Sequence, residues 1–213
     1  MSDRKKIVIL YSGGADSRVM MDMAEHSPDI SYILFVIFSY GQKHQHELKV
    51  AQEQIKRFGD RMEPREDDNL LTFQVATPNI ENVMADMDSN LLESSRNKRQ
   101  FPGVHEMHVP GRNLIFISIA YGYAETMGCD EIWYGADFSD RENLFPDCYQ
   151  EWVIRVNEVL AINGSLPVKL VAPCLGMTKE LAINHCNRVC EKGEAVASGY
   201  DGCFCPNPIG SDD

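Results

Sequence analysis

Two hydroxyl side chains, a carboxylate and a pair of glycines crowd into Ser12-Gly13-Gly14-Ala15-Asp16-Ser17, directly behind the apolar run Ile7 to Tyr11. The glycines let the backbone turn tightly and approach a ligand with no Cβ in the way. Ser12 and Ser17 bring hydroxyl donors, and the first N–H groups of the helix that follows point into the same turn. A corner of this kind binds anions. It is not a Walker loop, because the Gly-x4-Gly-Lys-Ser/Thr spacing is missing and no lysine lies inside the turn. A glycine-rich strand-to-helix turn with no ligand is the plainer alternative, and the complete pattern behind a buried-strand signature argues against it. Asp16 is placed to meet magnesium through water, which phosphate chemistry normally requires.

Other reactive or binding side chains lie further along. Arg112, in Val109-Pro110-Gly111-Arg112-Asn113, offers a fixed and always-charged fork for phosphate or carboxylate. Alone it would read as a helix-cap arginine in solvent, but the Pro-Gly before it and the Asn after it favour a purpose-built turn. Asp147, between Pro146 and Cys148, can accept from the N–H edge of a ligand, can cap the following helix, or can do both. His44 and His46 fall on either side of a helix start, and with no acidic or cysteine ligand at metal spacing a zinc pair is not expected there. His44 reads as polar lining near the site and His46 as surface. Cys148 has no identifiable base nearby, so packing or ligand contact is expected of it rather than nucleophilic attack.

The elements that must position these groups alternate regularly. Ile7 to Tyr11 suits a strand buried on both faces, and Arg18 to Ala24 reads as a helix. Ile30 to Phe38 supplies a second buried strand, running straight into Ser39-Tyr40-Gly41-Gln42-Lys43-His44. Leu48, Ala51 and Ile55 then mark a helix with an apolar stripe ending near Gly59. Leu70 to Ala76 is a third strand. Residues 77–110 are polar, with a basic cluster at Arg96, Lys98 and Arg99, and predict a lid or insertion beside the site. A strongly apolar helix spans Leu114 to Met127, a short strand Glu131 to Tyr134, and a further helix Tyr149 to Ile162. Leu170-Val171 resumes the sheet, and Thr178 caps a last helix to about Cys190. The pattern predicts an α/β fold, a doubly wound parallel sheet over residues 1–177, with residues 178–213 as a small C-terminal appendage. Ligands on such sheets bind beyond the carboxyl ends of the strands.

Composition bounds the rest. The chain has 213 residues and a net charge of −12, which argues against broad nucleic-acid binding while leaving a small nucleobase or nucleotide open. No apolar run reaches about 18 residues, so no membrane span is expected. The first residues lack the apolar region of a signal peptide, which points to the cytoplasm. Seven cysteines are read as thiols, with a metal open at the C-terminal end.

Ser12 to Ser17 resembles the SGGxDS pyrophosphate loop (PP-loop) of the ATP pyrophosphatases, with Arg18 where that superfamily usually has Ser or Thr. Three further segments are similar to the 7-cyano-7-deazaguanine synthases (QueC). Tyr40-Gly41-Gln42-Lys43-His44 with Glu47-Leu48 resembles their YGQRHxxEL, and Val109 to Asn113 their VPGRN. Gly135, Asp140 and Phe145-Pro146-Asp147-Cys148 resemble their G-x4-D…YPDC. Thr178-Lys179-Glu180 falls where they have a Thr-Lys helix start. The resemblance runs in order from about residue 5 to 205.

The resemblance implies an adenine nucleotide alpha hydrolase-like fold, with ATP and Mg2+ held at Tyr11, Ser12, Gly13, Gly14, Ala15, Asp16, Ser17 and Arg18. It implies a deazaguanine site drawn from Tyr40, Gln42, His44, Arg112, Asn113, Asp140, Phe145 and Asp147, the last accepting from a guanine-like edge. Ser12, Asp16, Ser17 and Arg112 would carry the chemistry: ATP-driven activation of 7-carboxy-7-deazaguanine, then transfer of the acyl group to ammonia. It further suggests a homodimer. The family's terminal zinc knuckle is eroded here. Gly199 stands where its first cysteine should be, and Cys203 and Cys205 have no third cysteine after them. Two such thiols do not close a tetrahedral site, and only Cys186 and Cys190 could complete another set of thiols. Zinc is therefore in doubt. The missing knuckle would also open the site to a larger nucleophile. One alternative is thus a ligase that conjugates the deazaguanine to an amine of a partner protein, in an anti-phage setting. A second is an inactive nucleotide-binding subunit.

Overall fold

The computed structural model of the chain describes residues 4–42, 46–62, 71–85, 87, 92, 109, 111–136, 145–178, 180–182 and 184. Its centre is a five-stranded parallel sheet in the order β3-β2-β1-β4-β5. The strands are β1 (Lys5–Leu10), β2 (Ile30–Val36), β3 (Thr72–Ala76), β4 (Glu131–Trp133) and β5 (Lys169–Val171). The helices are α1 (Ala15–Glu25), α2 (His46–Arg61), α3 (Glu81–Met84), α4 (Arg112–Met127) and α5 (Gln150–Asn163), with a 3-10 turn at Pro146–Cys148 before α5.

Alternation along the strands assigns the two faces. Ile7 and Ile9 of β1 point with Ile33 and Phe35 of β2 into one cluster, closed by Val19, Met20, Ala51, Ile55 and Phe58 from α1 and α2. Val8, Leu34 and Val36 point the other way, onto Ile117, Ala120 and Tyr121 of α4 and Val153, Val156 and Leu160 of α5. Ile7, Val8 and Ile9 are fully buried, which is why β1 reads as a continuous apolar run rather than an alternating one. The outer side of β5 is covered by a side chain. Asn157 of α5 donates to the Leu170 carbonyl at 2.9 Å and accepts from its N–H at 2.8 Å, as a neighbouring strand would.

The predicted α/β doubly wound architecture is the one observed, with element ends shifted by up to three residues, as where α1 begins at Ala15 rather than Arg18. The second strand stops at Val36 rather than Phe38. The apolar helix begins at Arg112 rather than Leu114, because Gly111 adopts φ 66° and the Arg112 N–H already bonds the Val109 carbonyl. In the predicted lid, 77–85, 87, 92 and 109 are described. Met84, Leu92 and Val109 there are buried. Strand order reverses between β1 and β4, and such a reversal opens a crevice beyond the carboxyl ends of those two strands.

Candidate functional site

The loop after β1 occupies one wall of that crevice. Gly13 holds φ 81°, a left-handed conformation that favours glycine, and a Cβ there would lie 3.2 Å from atoms of Ala51 on α2. Gly14 precedes the first turn of α1 in extended backbone. The hydroxyls of Ser12 and Ser17 lie 3.4 Å apart; Ser17 donates to the Gly14 carbonyl at 2.9 Å, and the Gly14 N–H reaches Ser12 Oγ at 3.3 Å. The amino end of α1, two hydroxyls and a glycine N–H thus lie together, with Ser12 exposed and Ser17 buried beneath it. Such a corner has the donors and the dipole to hold a polyphosphate.

Asp16 lies in the first turn of α1 and is half-buried. It is hemmed in from β4 and β5. A Cβ on Gly135 would lie 2.9 Å from the Asp16 Cβ, and the Cys174 thiol is 3.7 Å from the Asp16 carbonyl. Arg18 gives its backbone N–H to the Gly14 carbonyl, and its side chain is only 1% exposed, with Nη1 3.9 Å from Met21 Sδ. The Arg18 side chain is therefore buried against its own helix rather than open to solvent.

A second group gathers from β2, α4 and the turn before α5. The Arg112 guanidinium lies 5.9 Å from the centre of the Tyr40 ring, within cation–π range, and its Nε–H points at Asn113 Oδ1 at 3.4 Å. Asn113 donates its side-chain amide to the Asp147 carboxylate. The Tyr134 hydroxyl donates to the Asp147 carbonyl at 2.6 Å and so fixes the 3-10 turn that carries the carboxylate. Burial, then the Asp147 charge, raise the Tyr134 hydroxyl far above the usual tyrosine range, so it stays a donor at any ordinary pH. Phe38 stacks on Phe116 at 4.1 Å between centres, and Tyr40 meets the same ring edge-on at 5.3 Å. Phe145 packs partly buried against this core. The result is a set of aromatic walls with a carboxylate and a guanidinium beside them, suited to a planar, amide-bearing ring.

The predicted residues thus fall into two groups on one edge of the sheet: Tyr11 to Arg18 on one side, and Tyr40, Arg112, Asn113, Phe145 and Asp147 on the other. Gln42 is tied into the loop itself. Buried to 5%, its amide oxygen accepts from the Tyr40 N–H at 3.0 Å and its amide nitrogen reaches the Phe38 carbonyl at 3.4 Å, so it shapes the loop that presents Tyr40. His46 begins α2 and is exposed, as predicted. His44, Asp140, Cys203, Cys205, Cys186 and Cys190 lie outside the described residues. Among the described residues no group of three or more His, Cys, Asp or Glu could hold a metal ion, and no helix is long and apolar enough to cross a membrane.

Sequence reasoning passed over Gln54, Tyr134 and Cys174. Gln54 lies in the buried stripe of α2, 2% exposed, accepting from the Tyr11 hydroxyl at 2.6 Å and donating to the Gly13 carbonyl at 3.3 Å. Its signal was a polar residue interrupting the stripe of Ala51, Ile55 and Phe58. Tyr134 and Cys174 carry no local signal, since their partners come from distant parts of the chain.

Comparison with known proteins places the chain in a family. The fold is shared with the U34-tRNA thiolase NcsA from Methanococcus maripaludis, described with its 4Fe-4S cluster: TM-score 0.55, 13% identity, covering 96% of this chain and 63% of that one. The chain is 29% identical to the 7-cyano-7-deazaguanine synthase of Psychromonas ingrahamii, covering 82% of this chain and 74% of that protein. It is 32% identical to that of Chromohalobacter salexigens, covering 84% and 66%, and 34% identical to that of Rickettsia felis, covering 84% and 77%. Residues 6–207 match the model of the family described as Queuosine biosynthesis protein QueC. With a family match over nearly its whole length, the chain belongs to the QueC family.

Proposed function

We propose that the chain is an ATP-dependent carbon–nitrogen ligase that converts 7-carboxy-7-deazaguanine to 7-cyano-7-deazaguanine, the compound in its relatives' name. A carboxylate is a poor electrophile, because its leaving group would be an oxide or hydroxide. In this reading its oxygen attacks the α-phosphorus of ATP and pyrophosphate departs, leaving an acyl adenylate. Ammonia attacks the carbonyl carbon, AMP leaves with the bonding pair, and a proton goes to solvent, giving the amide. In a second cycle the amide oxygen attacks the α-phosphorus of another ATP and displaces pyrophosphate, and loss of AMP and protons then leaves the nitrile.

The protein's share is positioning and charge stabilisation. Ser12, Ser17 and the N–H groups at the start of α1 hold the departing pyrophosphate. Arg112 balances charge where carboxylate and α-phosphate meet, and Asp147, held by Asn113, accepts from the ring's amide edge. Magnesium neutralises triphosphate charge when bound, and Asp16 is the residue that would hold it through water.

The observation that carries this reading is the placing of the Arg112–Asn113–Asp147 group at the crevice where the Ser-Gly-Gly loop ends β1. The test is incubation of the full chain with 7-carboxy-7-deazaguanine, ATP, magnesium and ammonium, following pyrophosphate and the free product's mass. Pyrophosphate release with a free nitrile is expected; no release in the presence of the acid overturns the reading. A mass increment on a protein, with no free product, would point instead to the protein-amine ligase.

A further inference from the structure

The nucleotide loop rests on α2 through one side chain. Ala51 and Gln54 are a turn apart on the helix face that meets the loop: Ala51 bounds the space at Gly13, and Gln54 bonds its carbonyl. That bond fixes the direction of a whole peptide plane. In a trans peptide the C=O and the following N–H point in opposite directions. Turning the Gly13 oxygen inward to Gln54 therefore turns the Gly14 N–H outward, to the side where Ser12 Oγ stands 3.3 Å away. With φ 81° at Gly13 and no side chain at either residue, this plane has little steric resistance to flipping. A flip would present a carbonyl oxygen to the pyrophosphate in place of a donor. The Tyr11 hydroxyl, donating to Gln54 Oε1 at 2.6 Å, fixes the amide's rotamer so that its NH2 group faces Gly13.

We infer that Gln54 is a positioning residue of the nucleotide site, locking the Gly13–Gly14 peptide with its N–H toward the bound anion. The inference deepens the functional reading above and rests on it for the identity of the anion. Gln54 touches neither substrate and acts through the loop backbone.

Gln54→Glu and Gln54→Met separate this role from simple core filling. Glutamate keeps the acceptor for Tyr11 but sets an oxygen against the Gly13 carbonyl; methionine fills the space with no donor. Calorimetric titration of the full chain with MgATP should show the dissociation constant rising about tenfold in Gln54→Met, as for a lost charge-assisted bond, and further in Gln54→Glu. Affinity for 7-carboxy-7-deazaguanine should stay within about twofold. A crystal structure of Gln54→Met should show the Gly13 oxygen turned to the loop mouth. If either variant fails to fold, Gln54→Asn, polar but too short to reach, takes its place in both measurements. Folded variants that bind MgATP like the wild type, with the Gly13 oxygen still facing α2, overturn the inference. A wild-type chain that binds no MgATP overturns the functional reading instead, and the Gly13 oxygen in the variant's crystal structure then decides the lock alone.

Discussion

Asp147 is held twice, its carboxylate by Asn113 and its carbonyl by the Tyr134 hydroxyl, so its position is set before any ligand arrives. Preorganisation of this kind predicts a clean division of labour between residues. Asp147→Asn replaces an acceptor oxygen by a donor, and should raise KM for the deazaguanine acid by about tenfold or more with KM for ATP little changed. Ser17→Ala removes a hydroxyl from the pyrophosphate corner, and should lower kcat for pyrophosphate release by roughly a hundredfold, the usual cost of one lost transition-state donor. Asp16→Asn should behave similarly and respond weakly to added magnesium. Steady-state pyrophosphate assays against each substrate check all three. Equal losses on both substrates for Asp147→Asn would remove it from ring recognition.

Helix packing makes its own demands, most plainly where α5 ends. A Cβ at Gly164 would meet the Tyr121 hydroxyl and the Glu125 carboxylate, so both of those side chains must move to admit it. Gly164→Ala should destabilise the fold by about 1–3 kcal/mol through overpacking. Thermal unfolding would show it, with the Michaelis constants of the surviving protein unmoved. Glu125 ties α4 to the following turn by accepting from the Ser165 N–H at 2.7 Å and its hydroxyl at 3.2 Å. The Ser165 backbone bond, foremost, lowers the Glu125 pKa below its ordinary 4.5. A group depressed on folding contributes stability above its unfolded pKa and loses it as pH falls through the folded one. Glu125→Ala should therefore lower the melting midpoint at neutral pH, and the gap should close as pH drops below 4.5. A gap constant across that range would show the carboxylate charge to be irrelevant.

Across the whole molecule, the sequence is legible where one element states its own environment. The unbroken apolar run of β1, the glycine pair after it and the Pro-Gly before Arg112 each declare strand, turn and helix start locally. Their order was enough to predict the parallel sheet and the edge on which the loops meet. What stayed hidden depends on partners far apart in the chain: Asn157 standing in as a strand for β5, Tyr134 reaching Asp147, and Gln54 bonding a loop some forty residues earlier. No periodicity records such pairings. The exit of β4 concentrates them, for Tyr134 steadies the turn that carries Asp147 while its neighbour Gly135 leaves just enough room for Asp16. Two adjacent residues thus serve as a common doorpost for the loop after β1 and the turn before α5. Widening Gly135 by a single methyl should therefore press on Asp16 and strain the turn that Tyr134 holds in the same stroke.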